Sequence, residues 1–414
     1  MKSEINAKVN DISTSISILD NINWNFSQKS IFLANQVKPF NCRRLHWFPA
    51  TFIPEIPFTL IEVLSLEKAK ILDPFGGIGT TFFQALLLNR IPITIENCII
   101  SIEFIKNLYN LFDNKLDFNE LNHEIKNIIK QFDPSYNYIG DIPKDVNNIE
   151  LSRWYSVKTY NELSYLIIKE RECSDINLKS LMKISISGIL KTVSSQNRGW
   201  GCIADNMVPK NNQYTDKNVF NYFIKRINVI LSELSNHLRL NNYSFKNYYD
   251  HYKKNIYYSD IKLFNDVVDE SIDLIISSPP YPNMTDYVKS QRLSYYYFGH
   301  NLNNDLKSEI GARYKRNNKN NLENYYNDMC ITNEILGKKI KKGGYLCYIL
   351  PLFRKDNLNN SERKKIIDKV LGNLNKNGFS KKKTYQRILP SMRRSHNIKW
   401  ATLDKEIIQI YRRE

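Results

Sequence analysis

Apolar and polar positions change their spacing several times along this chain, and the changes divide it into elements. Residues 68–75, Lys-Ala-Lys-Ile-Leu-Asp-Pro-Phe, form a short apolar run that predicts a strand. The run passes into Gly-Gly-Ile-Gly-Thr-Thr-Phe-Phe-Gln-Ala-Leu-Leu-Leu, whose apolar positions take helical spacing after the glycines. A second strand is predicted over 91–96, with Glu96 at its carboxyl end. Residues 101–250 behave differently: long stretches such as 161–195 and 218–240 carry apolar residues three and four apart and predict helices. Strand spacing returns at 255–260, 271–278 and 343–351, and again at 384–389 and 405–413. The first forty residues are polar, with isolated aromatics such as Trp24 and Phe26 and no clear period, and predict an arm. Residues 316–321, Arg-Asn-Asn-Lys-Asn-Asn, read as the most linker-like segment.

Strand, glycine turn, helix and strand together form the unit that opens a doubly wound α/β sheet. The simplest organisation is such a sheet, interrupted by a helical block and then resumed. This gives an arm over 1–45, a first part of the sheet domain over 46–100, a helical insertion over 101–250 and a second part of the sheet domain over 251–414.

Bulk composition narrows the function classes. A chain of 414 residues with 42% apolar content can bury a large core, so it predicts a folded globular protein. No stretch reaches the ~18–20 uninterrupted apolar residues of a membrane span, and the first residues lack the order of a signal peptide. A cytoplasmic location is expected. The six cysteines are scattered, and the histidines (His46, His123, His237, His251, His300, His396) form no pair at ligand spacing, so neither a disulfide framework nor a metal site is expected. A formal net charge of +17 favours a polyanionic partner, nucleic acid above all.

Two corners carry the candidate chemistry. Gly76, Gly77 and Gly79 follow Asp73-Pro74-Phe75 directly and permit close approach of a ligand to the strand end. A turn that merely makes room for helix–strand packing is the other reading. Asp73 ends the first strand and Glu96 the second, where an acid can accept from ribose hydroxyls or only cap its own strand. A ligand with an amino acid and a sulfonium cation in place of a pyrophosphate would suit Asp73. The second corner is Ser278-Pro279-Pro280-Tyr281, which stops an apolar run abruptly. Two prolines impose a stiff path and cannot donate hydrogen bonds. The Ser278 hydroxyl and the Pro279 carbonyl can accept from a planar amino group, and Tyr281 offers a face on which a base could stack. Acceptors on such an amine help localise its lone pair for attack on a methyl group. A proline turn that only ends a buried strand would leave the same trace.

In combination these motifs resemble those of the amino-methylating DNA methyltransferases that use S-adenosylmethionine. The likeness rests on Ile-Leu-Asp-Pro-Phe-Gly-Gly-Ile-Gly-Thr-Thr (71–81), Ser-Pro-Pro-Tyr (278–281), the segment 46–62 ahead of the first motif, residues 257–264, and the helix and strand around 336–350. It covers roughly 46–96 and 255–411 and implies a Rossmann-like class I methyltransferase sheet. It also implies that Asp73, Phe75, Gly76 and Gly79 hold the methionine end of the cofactor, with Pro74, Gly77 and Thr80 beside them in the cofactor site. Glu96 would hold the ribose and Asp260 the adenine, with Pro49, Ala50, Thr51 and Phe52 flanking the pocket. Ser278, Pro279, Pro280 and Tyr281 would hold the target amine. Serine at the head of that tetrapeptide implies the N4 amine of cytosine, with the N6 amine of adenine as the alternative.

The partners so implied are DNA and, in a restriction-modification setting, a cognate endonuclease. An RNA base-amine methyltransferase and a non-catalytic nucleic-acid-binding module are the competing readings. Segments 285–299, 312–319 and 387–397 are candidates for nucleic-acid contact. Trp200 is a candidate for the substrate groove or for the core.

Overall fold

The computed structural model of the chain describes residues 12–26, 38–112, 116–196, 207–240, 252–353, 358–389 and 403–414. Its first helix, α1 (Ile12–Asp20), lies in the stretch expected to be an arm. Beyond it Trp24 is buried and stacks on Tyr385 with ring centroids 5.0 Å apart, while Asp20 pairs with Lys383. The expectation of an arm is thereby corrected for residues 12–26. A few aromatic rings without any period supply enough apolar area to dock a segment.

The sheet domain opens with α2 (Glu55–Leu64), β1 (Lys70–Asp73), α3 (Thr80–Leu87), β2 (Ile91–Glu96) and α4 (Ile99–Asn110). The helical block follows as α5 (Phe118–Lys130), α6 (Asn148–Ser152), α7 (Val157–Glu172), α8 (Ile176–Val193) and α9 (Val219–Leu240). Several of these starts are fixed by side-chain caps: Asp117 accepts from two amides of α5, Ser156 from Thr159 N–H and Asp175 from Leu178 N–H. The block is not a separate body. Trp154, Leu163, Leu181 and Leu234 belong to one continuous apolar cluster with Phe82 and Phe83 of α3 and with Ile102 and Ile105 of α4.

The second part comprises β3 (Ile256–Tyr258), β4 (Ile272–Ser277), α10 (Arg292–Phe298), α11 (Leu302–Ser308), α12 (Asn321–Lys339), β5 (Ile340–Phe353), α13 (Leu358–Lys376), β6 (Phe379–Ile388) and β7 (Leu403–Arg413). The supposed linker at 316–321 is corrected as well. Its first residues close a 3-10 turn (Arg313–Asn317), and its last begins α12. Asparagines that look loop-like in sequence here bond one another, as Asn321 does with Asn283.

Seven strands form one sheet in the order β3-β2-β1-β4-β5-β7-β6. The first five are parallel, and β7 runs antiparallel to both β5 and β6. Alternation along the strands decides which residue faces which layer. Ile71, Leu274, Ile276, Cys347 and Ile349 pack in one cluster with α2, whereas Leu72, Ile275, Leu346 and Tyr348 pack on the other face with Met329 and Leu336 of α12 and Val370 of α13. Helices on both faces explain why these strands read as nearly continuous apolar runs. The chain winds outward from β1 to β3 and then crosses back to β4, so its direction reverses between β1 and β4. In open α/β sheets ligands bind outside the carboxyl ends of the strands at such a reversal. Among the described residues no helix is long and apolar enough to cross a membrane.

Candidate active site

The carboxyl ends of β1 and β4 are tied together through Asp73. Its Oδ1 accepts from the Ser277 hydroxyl at 2.7 Å and from Phe75 N–H at 3.1 Å, and its Oδ2 accepts from the Thr81 hydroxyl at 2.7 Å. Burial pushes this carboxyl up to about 6 against the opposing effect of those donors. With 1% exposure and all three donors internal, Asp73 does not line the cleft described below. The expected direct contact with a ligand is corrected to a bracing role. A carboxyl at a strand end satisfies the nearest orphan donors before it can meet solvent.

The glycine turn divides its work. A Cβ on Gly76 would overlap the Thr94 hydroxyl of β2, so this position lets the turn lie against the neighbouring strand. Gly79 has φ +78° and caps α3, and a Cβ there would press on Ile105 and Phe83 at 3.0–3.1 Å. Gly79 lies outside the cleft lining. The packing reading accounts for Gly79, whereas Gly76 packs on β2 and also lines the cleft. Gly77 differs: its N–H donates to Glu96 Oε2 at 2.7 Å, and it lines the cleft opposite Phe48.

A cleft of about 750 Å³, open to solvent, lies at the strand ends. Pro49, Ala50, Thr51 and Phe52 line it from the segment ahead of α2, and Pro74, Phe75, Gly76, Gly77 and Thr80 from the β1–α3 turn. Glu96 and Asp260 line it from the ends of β2 and β3, and Ser278 and Pro280 from the end of β4. Topology thus brings together residues more than two hundred positions apart. Ala50 holds φ +54°, a conformation that strains a residue with a Cβ.

The cleft is acidic in a basic protein. Among the described residues its charged lining consists of Glu96, Asp260 and Glu309, with no lysine, arginine or histidine. Burial pushes Glu96 up to about 7, opposed by the amides of Cys98 and Gly77 that donate to it. Asp260 caps the next turn by accepting from Lys262 N–H at 3.0 Å, with Lys262 Nζ 3.6 Å from its other oxygen. Among the described residues no group of His, Cys, Asp and Glu converges to hold a metal ion. The donor set suits a ligand with hydroxyls and positive charge, and it would repel a pyrophosphate.

At the proline corner the Ser278 hydroxyl donates to Tyr281 Oη at 3.3 Å, and the Pro280 carbonyl accepts from the Tyr325 hydroxyl at 3.0 Å. Pro279 and Tyr281 are buried, and neither lines the cleft. Tyr281 as an open stacking face is therefore corrected: the ring packs inward and buttresses Ser278. Phe48, which stacks on Tyr287 at 6.1 Å, puts two other aromatic rings on the cleft lining. Sequence reasoning did not name Phe48, Ile78, Asn97, Ser259, Ile261, Tyr287, Ser308, Glu309 or Ile310 as site residues. Phe48, Ile78, Ser259, Ile261 and Tyr287 lie within segments singled out above, Asn97 follows Glu96, and only the path of the chain after β4 brings the last four there.

The segment 285–299 is less open than its aromatic and basic letters suggest. Tyr295 and Tyr297 are buried, with their hydroxyls on Asp305 and Glu170. Lys289 is half-buried over the Tyr314 ring, 3.9 Å from its centroid, and Arg316 in the segment 312–319 is exposed. His46 is buried, with Nε2 2.8 Å from the Ser187 hydroxyl, and burial pushes it down to about 4. Trp200 and most of 387–397 lie outside the described residues. No family model matches this chain, and no curated protein matches it either.

Proposed function

We propose that the chain is an S-adenosylmethionine-dependent methyltransferase acting on an exocyclic base amine, the N4 amine of cytosine in DNA. The observation that carries this reading is the acidic cleft at the reversal between β1 and β4, which opens directly onto Ser278 and Pro280. The sheet order is consistent with a class I methyltransferase domain, and the motif resemblance supplies the cofactor and the base.

In this account Glu96 accepts from ribose hydroxyls, Asp260 lies beside the adenine, and the Gly77 turn and Thr80 flank the methionine end. Asp73 keeps the turn in place. The bound cofactor supplies an electrophilic methyl group on a sulfonium. The protein holds the target amine at the Ser278 hydroxyl, which lines the cleft, so that the lone pair points along the line of transfer. With the cofactor held by Glu96, Asp260 and the Gly77 turn, its methyl group would pass to the nitrogen held at Ser278, with the sulfur as leaving group and one amine proton lost to solvent. In duplex DNA the base must first leave the stack, at a cost of a few kcal/mol. Lys289 and Arg316 lie on the chain between the proline corner and α12 and can meet the phosphates. A restriction endonuclease as partner and a cytoplasmic location accord with this reading.

Base-resolved sequencing of DNA from cells expressing the protein tests it. N4-methylcytosine in a fixed sequence context is expected. N6-methyladenine would move the assignment to the other base, and no modified base in the presence of folded protein would contradict the reading.

A further inference from the structure

Glu309 follows α11 directly, and the steps above do not use it. Its Oε1 accepts from Tyr287 N–H at 2.6 Å and from Val288 N–H at 3.4 Å, which fixes the carboxyl in one orientation. The residue is 3% exposed yet lines the cleft. Its Oε2 is buried and has no hydrogen-bond partner among the described residues. A buried carboxyl oxygen without a donor bears the whole cost of its desolvation, which a ligand in the cleft would relieve.

Among the described residues, the charged and titratable groups that face it come from two segments. Asp286 and Tyr287 come from the segment after β4, and Tyr314 and Lys315 from the 3-10 turn. The Lys315 ammonium donates to the main-chain carbonyl of Glu309 at 2.7 Å. Glu96 and Asp260 line the same cleft, so a cation bound there is favoured once these acids are ionised.

We propose that Glu309 is a ligand-binding residue of the cleft, whose Oε2 receives an N–H or O–H donor of a cationic nucleoside and which is ionised in the complex. The inference rests on the cofactor reading given above and adds a residue and a proton to it. Burial pushes this carboxyl up to about 8, opposed by the Tyr287 amide, so without ligand it carries its proton near neutral pH. Binding a cation then releases that proton to the buffer.

Calorimetric titration with S-adenosylmethionine near neutral pH, in two buffers of different ionisation enthalpy, counts the protons. The wild type should release about one more proton per ligand than Glu309→Gln, and the variant should bind about tenfold more weakly through loss of a charged acceptor. The ligand's own amino group titrates equally against both proteins and cancels from the comparison. S-adenosylhomocysteine, which lacks the sulfonium charge, should release fewer protons from the wild type. Glutamine retains an acceptor for the Tyr287 amide, and an unchanged melting temperature near neutral pH checks that the variant is folded. Equal affinity and equal proton counts in the two proteins would overturn the inference while leaving the cofactor reading intact. Failure of S-adenosylmethionine to bind either folded protein would overturn both.

Discussion

The Ser277 hydroxyl donates to the Asp73 carboxyl across 2.7 Å and so fastens the end of β4 to the end of β1. This bond adds to the β1–β4 pairing in setting the glycine corner against the proline corner. Asp73→Ala removes the acceptor of two hydroxyls and one amide in a buried place, and a loss of about 2–4 kcal/mol in denaturant-measured stability is expected. Asp73→Asn, which keeps one acceptor, should lose less.

Asp73 also gives stability a pH dependence of unusual sign. Its folded value of about 6 lies above the ordinary 3.8, so its contribution is fully present below the ordinary value and is lost as pH rises through 6. The span corresponds to about 3 kcal/mol. Asp73→Asn should flatten this part of the profile, read as melting temperature between about pH 4 and 7. A profile identical to the wild type would refute the assignment.

Gly76 and Thr94 should behave as a coupled pair. Gly76→Ala drives a methyl group into the Thr94 hydroxyl and should destabilise by about 1–3 kcal/mol. Adding Thr94→Ala removes the clashing oxygen, so the double variant should recover part of the loss, and a double-mutant cycle measures the coupling. Additive losses would mean that the turn relaxes elsewhere.

Tyr325 reaches the proline corner from α12 through the Pro280 carbonyl. Tyr325→Phe should cost about 1 kcal/mol of stability and leave that carbonyl free. Under the proposed mechanism turnover should fall while cofactor affinity, measured by calorimetry, stays unchanged. A weakened cofactor affinity with normal turnover would show that the corner does not hold the target.

How much of this was legible in the sequence depended on whether a feature is local. The strands around 71–73, 91–96 and 272–277 could be read because helices cover both faces of the sheet and leave apolar runs bounded by Gly and Pro. Most of the expected cofactor residues line one cleft, those from Pro74 onward because each stands at or just past the end of a strand, a position that sequence does mark. What could not be read was direction. Asp73 and Tyr281 look like ligand-facing groups in their motifs, but donors and packing three to two hundred residues away turn them inward. Glu309 is the converse case, an ordinary glutamate in sequence that the path after β4 carries to the cleft. The docking of α1 and Trp24 was hidden for the same reason, since their partner Tyr385 lies at the far end of the chain.

The most direct test of the central claim is radiolabelled methyl transfer from S-adenosylmethionine to unmethylated genomic DNA, followed by digestion to nucleosides. The account predicts label in N4-methylcytosine, reduced strongly in Ser278→Ala and only modestly in Tyr281→Phe, whose ring still fills its buried place. Label on a ring carbon, or none in any nucleoside from a folded protein that binds the cofactor, would contradict it.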